Sequence, residues 1–149
     1  VNSRPERGGT ILKVRPWEAK EEHTKMKTVA YIEDDPDMID LVSIILRKHG
    51  YQVTGFTESR EIIERLEELK PELILLDLMM PHVDGLEVYR EIKSREGISK
   101  VPVIIISAMK RAVEEIEREG EIKVEACLVK PFTIGELLET VKRVMGEGR

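Results

Sequence analysis

From Thr28 onward, short apolar runs alternate with amphipathic stretches, the pattern of a parallel sheet wrapped by helices. Five runs predict strands: Val29–Ile32, a weaker one over Gln52–Phe56, Leu73–Leu76, Val101–Ile106 and Ala126–Val129. The third and fourth are nearly continuously apolar, as expected of strands covered on both faces, whereas the second is polar enough for a sheet edge. Between the runs, Met38, Leu41, Val42 and Ile45 follow the i, i+3, i+4, i+7 rule and predict the buried face of a first helix, with Asp37, Asp40, Arg47 and Lys48 off that face. Ile62, Ile63, Leu66 and Leu69 repeat the rule. The last helix opens with a capping box, Thr133 and Glu136, and takes its buried stripe from Ile134, Leu137, Leu138, Val141 and Met145. The fourth helix, around Met109–Glu119, is poor in apolar residues, so it is expected to pack most loosely and to serve as a contact surface.

Residues 1–25 show no sustained period and read as an N-terminal extension. Either it is a flexible tail or expression leader, with Met26 as a natural start, or it docks through Ile11, Leu12, Val14 and Trp17. The domain is expected over 26–146, with 147–149 as a tail. At 149 residues, 41% hydrophobic and 36% charged, the chain has room for one ordinary domain with a real core. No apolar stretch approaches a membrane span and no signal peptide is visible, so a cytoplasmic protein is expected. The single cysteine, Cys127, has no partner for a disulfide or a cysteine-based metal site. Charge is uneven: net +3 over residues 1–27 and −8 over the rest, −5 in all. An acidic domain lacks the clustered cations that direct nucleic-acid binding needs.

An open α/β sheet carries its functional residues beyond the carboxyl ends of its strands. Here strand one ends in Glu33-Asp34-Asp35, strand three in Asp77, strand four in Ser107 and strand five in Lys130-Pro131. In a parallel sheet these ends share one rim. Converging carboxylates repel one another, and a hard divalent cation such as Mg²⁺ relieves that cost while keeping sites for water and phosphate oxygens. With such an ion, an ionised Asp77 can meet an anionic phosphoryl donor. Lys130 can neutralise the transferred group and Ser107 can donate a hydrogen bond to it. Taken singly, each residue has a plainer role. Asp34, Asp35 and Asp37 around Pro36 suit a helix N-terminus, and His82 is an exposed loop residue. The conjunction at four strand ends is what singles out the site.

The segments Ile32-Glu33-Asp34-Asp35-Pro36, Leu75-Leu76-Asp77-Leu78-Met79-Met80-Pro81 with Asp84-Gly85, Pro102 to Ser107-Ala108, and Val129-Lys130-Pro131-Phe132 together resemble the receiver domains of two-component response regulators, over roughly Met26 to Met145. The resemblance implies a flavodoxin-like (βα)5 doubly wound sheet of five parallel strands in order 2-1-3-4-5. It implies Asp77 as phosphoacceptor, and Mg²⁺ held by Asp34 and Asp77 directly, by Glu33 through water and by the Met79 backbone carbonyl. Ser107 resembles the family's switch hydroxyl and Lys130 its lysine, while Ala108 is small enough to leave Asp77 accessible. Pro131 is similar to the proline that follows a cis peptide bond in the family. Implied partners are a histidine kinase or histidine phosphotransfer protein, an unknown output protein and a second copy through the fourth and fifth helices.

The sequence departs from that pattern in two places. Cys127 stands where the family carries a switch Tyr or Phe, and the segment Gly120–Ala126 lacks the common Gly-Ala pair and looks longer. Met79 and Met109 follow Asp77 and Ser107 by two positions and are expected to hinder an in-line water, giving slow self-dephosphorylation. The expected protein is therefore a phosphorylation switch rather than an enzyme acting on a separate substrate. The alternative is a pseudo-receiver that docks partners without phosphoryl transfer. A dehalogenase-type phosphatase would need Asp-x-Asp on the nucleophile's strand, and Asp77-Leu78-Met79 lacks it. A nucleotide-binding flavodoxin-like protein would need a Gly/Ser/Thr-rich loop after strand one, where acids stand instead.

Overall fold

Alternating apolar runs and amphipathic stretches give, among the described residues, five strands and five helices in strict succession. The computed structural model describes residues 25–57, 61–118 and 125–147. Nearly all of the N-terminal extension and most of Gly120–Ala126 fall outside them. The strands are β1 (Lys27–Ile32), β2 (Tyr51–Phe56), β3 (Leu73–Asp77), β4 (Val103–Ser107) and β5 (Ala126–Val129). The helices are α1 (Pro36–Arg47), α2 (Ile62–Leu69), α3 (Gly85–Ser94), α4 (Lys110–Arg118) and α5 (Ile134–Val144). All strand pairs are parallel and the order is β2-β1-β3-β4-β5, as expected, with the half-polar β2 at an edge.

Every residue of β3 and β4 is buried, because both faces of the central strands are covered. Alternate residues of each strand feed two cores. Val29, Tyr31, Leu73, Leu75, Ile104 and Ile106 pack with Val42 and Leu46 of α1 and Leu137 and Val141 of α5. Ala30, Ile32, Ile74, Leu76, Val103 and Ile105 pack with α2, with α3 and with Val113 of α4. β4 starts at Val103 rather than Val101: Pro102 has no N–H for a ladder, and its carbonyl accepts from the Ile74 N–H at 3.0 Å.

Two helix stripes are rotated from the expected ones. Leu41 is 51% exposed and Ile44 58%, while Ile39, Val42, Ile45 and Leu46 face the sheet. The reason lies at the N-terminus: Asp35 caps the helix by accepting the Asp37 N–H at 3.0 Å and Pro36 occupies the first turn, which fixes the phase. In α5 the capping box forms as expected, with Thr133 and Glu136 exchanging bonds of 3.0 and 2.8 Å. Ile134 sits in that first turn and points outward at 58% exposure.

This packing assigns unequal weights to residues of one type on one helix. Leu46→Ala is expected to lose about 3 kcal/mol in a urea unfolding titration, and Leu41→Ala to stay within about 0.5 kcal/mol of the parent.

Candidate functional site

In parallel strands of matched register the carboxyl ends fall on one rim. Ile32 stands beside Leu76, Asp77 beside Ile106 and Ser107 beside Val129, so the residues just beyond β1 and β5 face the ends of β3 and β4. Glu33, Asp34 and Asp77 each present a carboxylate oxygen within 4.8 Å of the others. Glu33 and Asp77 are only 1% and 2% exposed, whereas Asp34 opens to solvent. Asp35, next in sequence, is taken by the α1 cap, so the acidic run divides its labour between helix and site.

Lys130 lies between the two buried acids. Its Nζ donates to Glu33 Oε1 at 2.9 Å and to Asp77 Oδ2 at 2.8 Å. Asp77 Oδ1 accepts the Met79 N–H at 2.8 Å, and Glu33 Oε2 accepts the Asp35 N–H at 3.2 Å. Burial raises the Glu33 carboxyl above its ordinary value; the Lys130 bond opposes this, and the neighbouring Asp34 and Asp77 reinforce it. Burial works to lower Lys130, but its bonds to Asp77 and Glu33 outweigh it, and its value rises. The Lys130–Pro131 peptide is cis.

Ser107 is fully buried at the end of β4. Its hydroxyl accepts the Met109 N–H at 3.1 Å and donates to the Met109 carbonyl at 3.2 Å, directly before α4 begins at Lys110. Met79 and Met109 have half-exposed side chains. His82 is exposed, as expected. Cys127 is half-buried; burial, then the Glu117 charge, pushes its thiol up, so it is a neutral packing residue at ordinary pH.

Two residues contribute in ways the sequence reading did not assign. The first is Tyr31, fully buried on β1, whose hydroxyl donates to Glu33 Oε1 at 3.1 Å. Burial, then the charge on Glu33, raises this phenol far above its ordinary value, which keeps its proton available for donation. The signal was present: a strand repeats every two residues, so Tyr31 shares a face with Glu33. The second is Gly85, where a Cβ would stand 2.7 Å from the Leu78 Cα and 3.0 Å from the Asp77 carbonyl oxygen. The first turn of α3, capped by Asp84 through the Leu86 N–H at 3.0 Å, thus packs on the backbone that carries Asp77.

The donor set fits Mg²⁺. Three hard carboxylate oxygens converge, with one member open to water, and soft ligands are missing from the cluster. Among the described residues no helix is long and apolar enough to cross a membrane.

An acidic triad and a lysine on the rim of a 2-1-3-4-5 sheet define a receiver-type α/β protein. The chain matches the family model of the response regulator receiver domain over residues 29–142, and it belongs to that family. It is 32% identical over 123 residues to the polar-differentiation response regulator DivK of Brucella ovis, covering 81% of this chain and 98% of DivK. It is also 32% identical over 120 residues to the DNA-binding dual master transcriptional regulator RpaA of Synechocystis sp., covering 80% of this chain and 49% of RpaA. The chain therefore spans about half the length of RpaA. Among solved structures, it is similar to the receiver domain of a Pseudomonas aeruginosa sensor histidine kinase with magnesium coordinated in its active-site cleft. That match has 27% identity and a TM-score of 0.69, covering 82% of this chain and 99% of the other.

The electrostatics set a pH dependence. Because Glu33 binds its proton more readily in the fold than in the unfolded chain, its contribution favours the fold below the ordinary carboxylate range and is lost as pH rises through its raised value. The raised Lys130 contribution persists until pH exceeds the ordinary lysine range. Lys130→Met is expected to cost about 2–3 kcal/mol at neutral pH in chelator-containing buffer, by leaving two buried carboxylates without a counter-charge. That loss shrinks as pH falls through the raised Glu33 value and this buried acid takes up its proton. Denaturant unfolding across this range checks both statements.

Proposed function

We propose that this chain is a phosphorylation-operated signalling switch whose phosphoacceptor is Asp77. The observation that carries the reading is the convergence of Glu33, Asp34 and Asp77 within 4.8 Å, with Lys130 Nζ 2.8 Å from Asp77. The donor is a phosphohistidine on a histidine kinase or histidine phosphotransfer protein. An Asp77 carboxylate oxygen attacks phosphorus, the P–N bond breaks, and an acyl phosphate forms as the histidine leaves.

Asp34 and Asp77 would hold Mg²⁺ directly, with Glu33 through water and the Met79 carbonyl as a further ligand. When bound, the ion supplies positive charge that offsets the carboxylates and the donor's phosphate oxygens. The chain's own groups do the rest. Lys130 swings its ammonium from Glu33 to a phosphoryl oxygen, and the two bonds it now makes give the distance it must leave, 2.9 Å, and the one it keeps near, 2.8 Å. Ser107 releases the Met109 backbone and donates to a second phosphoryl oxygen. Because Met109 immediately precedes α4, that release shifts the balance between two arrangements of the α4 face and alters partner affinity.

The domain we assign to this activity runs over 26–146, in the cytoplasm, where such kinases present their phosphohistidine. Its output partner binds on the α4 and α5 side, where a second copy of the chain is one candidate. With Cys127 at the switch-aromatic position, readout passes through Ser107 and Met109 rather than a rotating ring.

Incubation with Mg²⁺ and a small acyl phosphate is expected to give a one-phosphate adduct by intact mass, absent in Asp77→Asn and without Mg²⁺. No adduct, or one unchanged in Asp77→Asn, would favour a pseudo-receiver that docks partners without turnover. The half-exposed Met79 and Met109 are expected to slow the attacking water, so the purified phosphoprotein should last minutes or longer. Decay within seconds, followed by loss of the adduct's mass, contradicts that steric account.

A further inference from the structure

We infer that Tyr31 is a positioning residue for the metal site, its buried hydroxyl holding Glu33 in the orientation that faces Asp34 and Asp77. The inference rests on the Mg²⁺-dependent phosphoacceptance proposed above and names a residue of this chain that tunes it. The Tyr31 ring is fully buried among Val29, Val42, Leu46, Leu73 and Leu75. A phenylalanine would supply the same apolar contacts, so packing does not account for the hydroxyl. A buried hydroxyl is costly unless it is paired, and this one donates to Glu33 Oε1 at 3.1 Å.

Glu33 is itself 1% exposed and is fixed by three donors. Lys130 Nζ and the Tyr31 hydroxyl share Oε1, at 2.9 and 3.1 Å, while the Asp35 N–H takes Oε2 at 3.2 Å. Of these, Lys130 is the one the proposed mechanism calls away to the phosphoryl group. Once it leaves, Oε1 keeps the Tyr31 hydroxyl, which comes from a rigid strand and has no other task in the mechanism. Tyr31 thereby keeps Glu33 aimed at the site through the step in which its lysine partner is engaged elsewhere. Groups that orient direct metal ligands change metal affinity by roughly 10–100-fold when removed, and because Glu33 would act through water the low end of that range applies to Tyr31.

Tyr31→Phe removes the hydroxyl and keeps the ring. Calorimetric titration of Mg²⁺ into the full chain, without phosphodonor, is expected to give affinity about tenfold weaker than the parent. At saturating Mg²⁺ the rate of phosphoryl acceptance should return to the parent value, because the loss lies in metal binding. In a Glu33→Ala background, which has no side-chain acceptor for the Tyr31 hydroxyl, the same change should alter Mg²⁺ affinity less than about twofold, since a double-mutant cycle removes the shared contact. Equal Mg²⁺ affinity of parent and Tyr31→Phe, or an equal loss in the Glu33→Ala background, overturns the positioning role. A parent chain that binds Mg²⁺ but forms no acyl phosphate would instead sink the proposed function and leave the Tyr31–Glu33 titration to stand or fall by itself.

Discussion

Like charges resist convergence, and three carboxylates within 4.8 Å are held together here against that resistance. Two of them are almost completely removed from water, so solvent cannot screen them. Lys130 supplies the counter-charge, bridging Glu33 and Asp77 at 2.9 and 2.8 Å. The arrangement is satisfied but strongly charged, and it gains from any further cation that reaches the exposed Asp34 side. Under the proposed function, metal and phosphate would each relieve charge that the other leaves at this site.

The sheet makes that convergence possible. Parallel strands in register bring the ends of β1, β3, β4 and β5 to a single rim, although Glu33 and Lys130 are 97 positions apart in the chain. The same geometry couples the rim to the surface. Ser107 grips both backbone groups of Met109, and α4 starts at the next residue. Among the α4 residues whose side chains are described, Val113 is the buried one, and the proposed switch would act on this helix through Ser107. α1 and α5, by contrast, each seat two large apolar residues on the opposite face.

Much of this was legible in the sequence, and the gaps have physical causes. The nearly all-apolar runs Leu73–Leu76 and Val101–Ile106 announced central strands, and acids at strand ends announced the site. Periodicity located α1 and α5 but misplaced Leu41 and Ile134, because a stripe of hydrophobic residues does not reveal the phase set by a helix cap. Leu41, Ile44 and Ile134 are all apolar and all face outward. Tyr31 was hidden by being a good strand residue: its ring reads as core, and only the pairing with Glu33 gives its hydroxyl a purpose. Gly85 was quoted as part of a motif, yet its need for a bare Cα emerges from the approach of α3 to Leu78 and Asp77. Lys130 was assigned by position, whereas its simultaneous grip on two acids depends on side-chain geometry that no one-dimensional pattern carries.

The most direct test of the central claim is a crystal structure of the chain with Mg²⁺ and beryllofluoride. The account predicts an ion about 2.1 Å from carboxylate oxygens of Asp34 and Asp77, with Lys130 Nζ and the Ser107 hydroxyl turned onto the beryllofluoride at Asp77. An ion bound elsewhere, or a Lys130 that still bridges Glu33 and Asp77 with the beryllofluoride absent from Asp77, would contradict it.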